Sequence, residues 1–347
     1  MSTELLIKLR EQGQLSRPEF RRLLAAWEPG LQAEAAVLAS ELREQHYGRR
    51  VFIRGLLEIS SYCRRNCFYC GIRRGNTRAQ RYRMSPEQIL ACCKAGYPLG
   101  FRTFVLQGGE DTGYPDELIR DLVQEIKSRY SDCAVTLSLG EKSFLAYKDF
   151  REAGADRYLL RHETADAAHF AKLHPGNQSL QSRLRCLQDL RFLGYQVGSG
   201  FMVGSPFQSL ETLSEDLFFL SEFKPEMIGI GPFLPHHDTP FADEKPGSME
   251  FTLFLLSVLR LMLPKVLLPA TTALGSIHPT GREKGVLAGA NVIMPNLSPQ
   301  ELRGKYMLYD NKLSSGAEAA EGLRLLAEQL QTIGCEIAVD RGDYPGI

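Results

Sequence analysis

The hydrophobic positions of this chain follow two different periods. Before residue 48, apolar side chains such as Leu5, Leu9 and Leu23 recur at three-to-four spacing, and the segment 16–19 resembles a helix start, which predicts an N-terminal helical extension. From residue 51 onward, short runs rich in aliphatic and aromatic residues alternate with helix-period segments. These runs predict eight strands, at 51–60, 103–108, 134–139, 156–161, 196–203, 226–233, 266–271 and 291–294.

Helix-period segments fill the intervals between the predicted strands. Several begin with a capping residue, as at Ser85 and Ser209, and others end near a glycine, as at Gly154 and Gly194. The strand starts recur about every 34 residues, which implies parallel pairing with right-handed crossovers. Periodicity alone leaves a doubly wound open sheet as an alternative. The predicted helices are 85–99, 115–130, 142–153, 179–193, 209–223, 249–263 and 282–288, followed by 317–333.

Polar and glycine-rich sequences follow the predicted strands and favour a closed barrel. A barrel brings the carboxyl ends of all its strands to one face, around one cavity. We therefore predict an α/β fold: a (β/α)8 TIM barrel over 51–300, with the N-terminal helical extension in 1–50 and a C-terminal extension, 301–347, that contains a helix and closes the barrel. The polar segments are 63–70, 108–111, 138–141, 161–163, 235–237 and 271–272.

Charge and hydropathy exclude two classes of partner. Lys+Arg 41 balance Asp+Glu 41, so the chain lacks the net charge expected of a protein that coats nucleic acid or an acidic membrane. The most apolar stretch, 251–268, is interrupted by Arg260, Pro264 and Lys265, which makes it too polar for a membrane helix. We expect a cytoplasmic protein with no nucleic-acid or membrane partner.

Three of the eight cysteines are clustered, at Cys63, Cys67 and Cys70. In a reducing compartment such a cluster indicates metal chemistry rather than disulfides. Three thiolates leave one iron of a four-iron cluster without a protein ligand, which would make that iron a substrate site. A structural zinc site is the alternative, but it needs four ligands, and Cys92 and Cys93 lie in a predicted helix.

The spacing Cys63-x3-Cys67-Phe68-Tyr69-Cys70 after the first strand of a predicted barrel resembles that of the radical S-adenosylmethionine (SAM) enzymes. The resemblance implies that the three cysteines bind a 4Fe-4S cluster and that SAM occupies its open iron. Reductive cleavage of SAM would then give methionine and a 5'-deoxyadenosyl radical. The resemblance also places Tyr69 on the adenine side of SAM.

Further SAM contacts are implied on neighbouring strand ends. The glycine-rich segment after the second strand resembles the family's site for the SAM amino group, because glycines allow backbone carbonyls to approach closely. A forked cation suits the SAM carboxylate, and the family comparison indicates Arg183 for this role. The expected cofactor-binding residues are Tyr69, Gly108, Gly109, Glu110, Ser138, Glu163 and Arg183, with Ser138 and Glu163 as ribose or amino partners.

Within this superfamily, the chain resembles the HydE family of FeFe-hydrogenase maturases over nearly its whole length. Segments that carry the resemblance include 81–84, 156–164, 229–233 and 289–296. It implies a small organometallic substrate, an iron-cyanide-carbonyl-cysteine complex delivered by a partner maturase, whose sulfur the adenosyl radical attacks on the way to the 2Fe subcluster. It also implies other hydrogenase maturases and an electron donor such as a ferredoxin or flavodoxin as partners.

A small anionic substrate requires cations and hydrogen-bond donors inside the barrel. Arg161 is the best internal cation, whereas its neighbour His162 points to the opposite side of an extended strand and is expected to be structural. His236 and His237 are expected to be solvent-facing loop residues rather than metal ligands. The candidate catalytic and substrate residues are Arg161, Thr136, Gln107, Thr271, Thr272, Met294 and Tyr306.

One departure from the HydE pattern concerns the number of clusters. Some members carry three more cysteines after the last strand, but 310–317 contains none here, so a single 4Fe-4S cluster is predicted. Three alternatives remain open: a methylornithine synthase acting on lysine, a biotin-synthase-like sulfur insertion enzyme, which would need a second cluster, and a non-catalytic zinc-binding protein.

Overall fold

The computed structural model describes residues 2–346 and contains helices packed around a parallel sheet. Several helices begin where the sequence indicates a cap: Ser85, Ser143 and Ser179 each accept a hydrogen bond from the backbone three residues on. The helices are α1 Ser2–Gln12, α2 Arg17–Ala25, α3 Pro29–Tyr47, α4 Pro86–Gly96, α5 Asp116–Arg129, α6 Phe144–Glu152, α7 Ala167–Leu173, α8 Leu180–Phe192, α9 Leu210–Phe223, α10 Met249–Met262, α11 Thr272–Ile277, α12 Gly281–Leu287, α13 Gln300–Arg303 and α14 Leu323–Thr332, with 3-10 turns at Tyr97–Leu99, Gly316–Glu318 and Ala320–Gly322.

The strands are short and all their pairings within sheets are parallel. Six of them form one sheet in the order β2-β3-β4-β5-β6-β8. The strands are β1 Arg50–Ile53, β2 Gly55–Ser60, β3 Thr103–Gly108, β4 Ala134–Ser138, β5 Arg157–Leu159, β6 Gln196–Ser199, β7 Met202–Val203, β8 Met227–Ile228, β9 Gly231–Pro232, β10 Val292–Ile293 and β11 Glu336–Ala338.

Single parallel bridges close the six-stranded sheet into a ring. Met227 of β8 pairs with Leu267, Pro269 pairs with Val292 of β10, and Leu56 of β2 pairs with Asn296 beyond β10. The ring therefore has eight members in chain order, each followed by at least one helix. The predicted (β/α)8 TIM barrel is confirmed.

The structure differs from the predicted strands in detail. The first predicted strand divides at Arg54 into β1 and β2, because β1 pairs outside the six-stranded sheet with β10 and β11. The predicted strands 196–203 and 226–233 also divide in two. The predicted strand 266–271 forms only isolated bridges. Strand β11 was missed, and the helix predicted at 317–333 begins only at Leu323 after two 3-10 turns.

The apolar stretch near residue 251 becomes helix α10, which is buried along nearly its whole length. The N-terminal helices α1 and α3 pack against α10, and the Trp27 ring lies edge-on to Phe251 at 5.1 Å. This packing explains why α10 lacks a polar face. Among residues 2–346, no helix is both long and apolar enough to span a membrane.

The C-terminal segment closes the amino-terminal end of the barrel, which we call the lower end. Strand β11 pairs with β1, and the residues after it reach under the strands. The fully buried Arg157 donates to Thr103 Oγ1 at 2.9 Å, to the Arg341 carbonyl at 2.8 Å and to Asp343 at 2.5 Å. Residues of the C-terminal segment thus supply hydrogen-bond partners to the strands at the lower end.

Candidate active site

The three clustered cysteines lie in a loop that follows β2 at the upper end of the barrel. The Arg81 guanidinium holds the two ends of this loop together. It donates to the carbonyls of Ser61, before the first cysteine, and of Ile72 at 2.8 Å, after the last. It also donates to the carbonyls of Arg73 at 2.7 Å and Asn76 at 3.0 Å. Arg81 therefore organises the loop without a metal, a role that sequence reasoning did not assign.

The glycine-rich segment after β3 packs directly against the cysteine loop. A Cβ on Gly109 would lie 2.3 Å from the Tyr62 carbonyl oxygen and 2.6 Å from Cys63 Cβ, so only glycine fits there. The Glu110 carboxylate accepts from Arg64 at 2.9 Å and from Arg65 at 2.6 Å. If Glu110 contacts the SAM amino group as predicted, its carboxylate must accept from that group as well as from the two arginines.

The sulfurs of the loop are partly buried thiols. Burial raises the pKa of Cys63 and raises that of Cys67 to about 11, and it raises the pKa of Cys70 as well. Uncoordinated thiols in this environment hold their protons, so a metal ligand set would form with proton release.

The donor set fits an iron-sulfur cluster better than a closed zinc site. Tetrahedral zinc with thiolates at about 2.3 Å holds its sulfurs about 3.8 Å apart. In the part of the chain that the structure describes, the three sulfurs do not all lie within 4.8 Å of one another. Three separated thiols on a preformed loop instead match three corners of a larger cluster.

Tyr69, predicted on the adenine side of SAM, is fixed by a histidine that sequence reasoning missed. The His174 Nδ1 donates to the Phe170 carbonyl at 3.0 Å, so its Nε2 accepts from the Tyr69 hydroxyl at 3.2 Å. Burial lowers the pKa of His174 to about 4. The ring is therefore neutral near pH 7, which is the state this hydrogen bond requires.

Arg183, predicted to bind the SAM carboxylate, is buried on α8 beside the cysteine loop. Its Nε donates to Glu141 at 2.8 Å and its Nη1 donates to the Arg161 carbonyl at 2.5 Å. Burial opposes the charged form, but the neighbouring carboxylates, Glu141 foremost, raise its pKa. The cation is thus permanently charged and held in one orientation.

Glu163 lies just beyond β5 with a strained backbone. Its φ of 67° is left-handed, which non-glycine residues rarely adopt. Its amide donates to the Gly200 carbonyl at 3.0 Å, and its carboxylate lies 3.2 Å from Arg161 Nη2. Backbone strain of this kind clusters at functional sites, because the surrounding structure must hold it.

Buried polar atoms without partners mark the upper part of the lumen. In the described chain, Arg161 Nε and Nη2, Thr136 Oγ1 and Thr271 Oγ1 have no hydrogen-bond partner. The ion pair of Arg161 with Glu163 brings the charges together without hydrogen-bond alignment. A buried donor without a partner costs about 1–3 kcal/mol, so these groups require water or a polar ligand as a partner.

The remaining predicted lumen residues have more varied surroundings. The Thr272 hydroxyl donates to Glu318 at 2.9 Å, whereas that of Thr271 is free of partners. Gln107 lies near the Tyr306 hydroxyl, whose pKa burial raises. Ser138 lies opposite Gln107 in the β3–β4 register, and Met294 packs on the apolar layer at the lower end.

The structure adds a buried ion pair to the lumen that the sequence did not reveal. Lys312 Nζ contacts Glu58 Oε1, and the other oxygen of Glu58 accepts from Asn296 at 2.9 Å. Lys312 also lies over the Tyr306 ring at 5.4 Å. Lys312 belongs to the segment 310–317, which contains no accessory cysteines. This segment instead supplies a cation to the lumen.

The histidines have different positions from one another. His162 is fully buried behind β5, where its Nε2 lies 3.4 Å from Asp216. His237 is exposed as predicted, but His236 is buried, because it packs against Gly71 of the cysteine loop. The two adjacent rings stack 4.5 Å apart at 18°, and one ligand atom from each histidine and one from Asp310 all lie within 4.8 Å of one another. The expectation that no carboxylate pairs with these histidines is therefore wrong, because Asp310 comes close to both from a distant part of the chain.

The comparisons with known proteins agree with this geometry. A family model described as the Radical SAM superfamily matches residues 57–220. The FeFe-hydrogenase maturase subunit HydE of Thermotoga maritima is 46% identical over 310 residues, which cover 89% of this chain and 88% of that protein. The chain belongs to the radical SAM superfamily. It is a radical SAM enzyme and a homologue of HydE, and the family implies a 4Fe-4S cluster and SAM.

Three further matches cover most of the chain. The 3-methylornithine synthase of Methanosarcina acetivorans is 30% identical over 335 residues, 95% of this chain and 93% of that protein. The crystal structure of methylornithine synthase (PylB) superposes with a TM-score of 0.85 at 28% identity, covering 96% of this chain and 97% of that one. The FeFe-hydrogenase maturase HydG, with a TM-score of 0.79 at 22% identity over 97% of this chain and 76% of that one, shares the fold.

Proposed function

We propose that this chain is a HydE-type maturase that acts in assembly of the FeFe-hydrogenase 2Fe subcluster. The observation that carries the proposal is the 46% identity to the Thermotoga maritima protein, spread over 89% of the chain. Its substrate is then an iron-cyanide-carbonyl-cysteine complex. Its partners are the other maturases and a ferredoxin or flavodoxin as electron donor, in the cytoplasm.

The residues of the upper lumen suit such a substrate. A cysteine-bound iron complex is small and anionic, and the Arg161 guanidinium, which is ion-paired with Glu163, has two nitrogens that make no hydrogen bond. The hydroxyls of Thr136 and Thr271 are free to donate to cyanide or carboxylate oxygen. Each of these atoms recovers a missing hydrogen bond when the ligand enters, which favours binding.

The cofactor side lies between the cysteine loop and α8. Cys63, Cys67 and Cys70 would hold one 4Fe-4S cluster, and Tyr69, Gly108, Gly109, Glu110, Ser138, Glu163 and Arg183 would surround SAM. When bound and reduced, these groups supply a 5'-deoxyadenosyl radical for attack at the substrate sulfur. The protein's part is to fix the Arg183 cation and to orient Tyr69 through the neutral His174. The buried Tyr306 helps to exclude water.

A methylornithine synthase activity is the second candidate, favoured by the superposition with PylB. The experiment is anaerobic reconstitution, followed by dithionite and SAM with either lysine or the iron-cysteine complex. We expect 5'-deoxyadenosyl products coupled to consumption of the iron complex and none coupled to lysine. Coupling to lysine instead would replace the proposal. A colourless protein that holds one zinc per chain would overturn both.

A further inference from the structure

The three cluster cysteines receive different hydrogen bonds. The sulfur of Cys63 accepts from the backbone amide of Arg65 at 3.4 Å, and that of Cys70 interacts with the backbone amide of Ile72. Both donors stand two residues after their cysteine. Cys67 instead faces a side chain from a distant part of the chain, the amide of Gln178, whose Nε2 lies 3.8 Å from its sulfur.

The position of Gln178 is fixed from both sides. Its backbone amide donates to the Pro175 carbonyl at 3.0 Å, which closes a turn after α7. Ser179 follows directly and caps α8 by accepting from Ser182. Gln178 itself is only 9% exposed. The backbone at Gln178 is therefore fixed, and burial keeps its side-chain amide out of solvent beside the sulfur.

The chemistry of the contact selects one orientation of the amide. The Oε1 and Nε2 atoms lie equally far from Cys67 Sγ, at 3.8 Å. A thiol could donate to Oε1, but a metal-bound thiolate can only accept, so Nε2 must face it. The hydroxyl of Tyr69 is also near Cys67, yet its proton is donated to His174. Among residues 2–346, Gln178 is then the side-chain amide that donates to a cluster sulfur.

We infer that Gln178 is a positioning residue that tunes the cluster: its N–H···S bond to Cys67 raises the reduction potential. Reduction adds negative charge that spreads onto the cysteine sulfurs, and a donor to sulfur stabilises the more negative state. The inference rests on the cluster implied by the family and deepens the proposed function, because it names a residue that makes the first electron transfer easier.

The test is a redox titration of the reconstituted protein without SAM. Gln178→Met keeps the side-chain volume and removes the N–H, while Gln331→Met, on the exposed face of α14, is the matched control. We expect the reduced-to-oxidised ratio at a fixed potential to fall about three- to tenfold in Gln178→Met, where tenfold is about 59 mV for one electron. An unchanged potential at wild-type iron content would overturn the inference.

A measurement on the wild-type protein keeps the inference testable if Gln178→Met fails to hold its cluster. Glutamine labelled with 15N at the side-chain amide should give a 15N hyperfine coupling to the reduced cluster in electron-nuclear double resonance. No coupling would contradict the contact. These outcomes are separate from those of the proposed function, since neither measurement needs the iron-cysteine complex or lysine.

Discussion

Two arginines from the same barrel segment have opposite surroundings. Arg157, at the start of β5, is fully buried, and all its neighbours are protein groups: Gln196, Thr103, Arg341 and Asp343. Arg161, four residues later at the upper end, is ion-paired with Glu163, but two of its buried nitrogens make no hydrogen bond. One cation completes the fold, and the other remains available for a ligand.

Two threonines on adjacent strands repeat the contrast. Thr103 Oγ1, at the lower end, donates to the Arg341 carbonyl and accepts from Arg157, whereas Thr136 Oγ1 has no partner. The lower end is not uniformly satisfied, because Arg54 keeps two unpartnered nitrogens and has a pKa lowered by burial. Even so, the threonine pair shows the contrast between the two ends. The hydroxyl at the lower end is satisfied by protein groups, and the one at the upper end is left without a protein partner.

The largest expected effect concerns the lower end. Arg157→Met removes a buried guanidinium and leaves Thr103, Gln196 and Asp343 without their shared donor, so the free energy of unfolding should fall by about 4 kcal/mol. Urea denaturation of the metal-free protein measures it. SAM cleavage per folded molecule should stay within about twofold of wild type, because Arg157 does not reach the upper end. A loss of activity without a loss of stability would break the comparison.

A pH series separates the two ends without a mutation. The pKa of Asp343 is lowered to about 2, so the stability contributed by this carboxylate is complete near pH 7 and is lost mainly below about pH 4. His174, at the upper end, has a pKa lowered to about 4 in the folded state, so the unfolded chain binds the proton first as pH falls below about 6.5. Stability contributed by neutral His174 is complete above about pH 6.5 and falls by about 3 kcal/mol on the way to pH 4.

The matched variant for this series is His174→Gln, which can still accept from Tyr69 and does not titrate. The difference in unfolding free energy between wild type and variant should therefore change over the same pH interval. Parallel stability curves from pH 7 to 4 would show that His174 is not held neutral.

Arg161→Ala tests the upper end directly. We expect about a 100-fold loss in turnover of the substrate, which corresponds to about 2.7 kcal/mol, with the unfolding free energy changed by less than about 1 kcal/mol. The steady-state rate with the iron-cysteine complex and a thermal melt provide the two readouts. Wild-type turnover in this variant would remove Arg161 from the proposed substrate site.

The smallest effects come from the threonine pair. Thr103→Val breaks satisfied hydrogen bonds and should destabilise the fold by about 1 kcal/mol. Thr136→Val removes a buried hydroxyl that has no partner, so stability should be unchanged or slightly higher, while the KM for the substrate rises several-fold. Equal destabilisation by both variants would indicate that Thr136 has a partner in the folded protein.

The barrel could be predicted from sequence because its signal is repeated: each βα unit carries an apolar run followed by a helix period. The exceptions have physical causes. The segment around Leu267 takes its place in the barrel through isolated bridges rather than a continuous strand. Strand β11 is too short and too polar to be recognised from its own sequence. Its strand conformation depends on pairing with β1, which lies far away in sequence.

The site also contains residues that could be predicted from sequence and residues that could not. The cysteine spacing is a local pattern, so the superfamily could be recognised from it, and that prediction is confirmed. Three residues were missed: His174, Gln178 and Lys312. Each contacts a partner more than 100 positions away, and a local sequence pattern cannot predict such contacts. The roles predicted for Arg161, Thr136 and Thr271 stay predictions, although the structure leaves their polar atoms free.

The hydrogen bonds of Arg81 to both ends of the cysteine loop have a consequence for the spacing of the thiols. Since one guanidinium binds four backbone carbonyls, a change at this single position would release the loop at both ends at once. The arrangement of the three thiols therefore depends on a residue outside the cysteine motif.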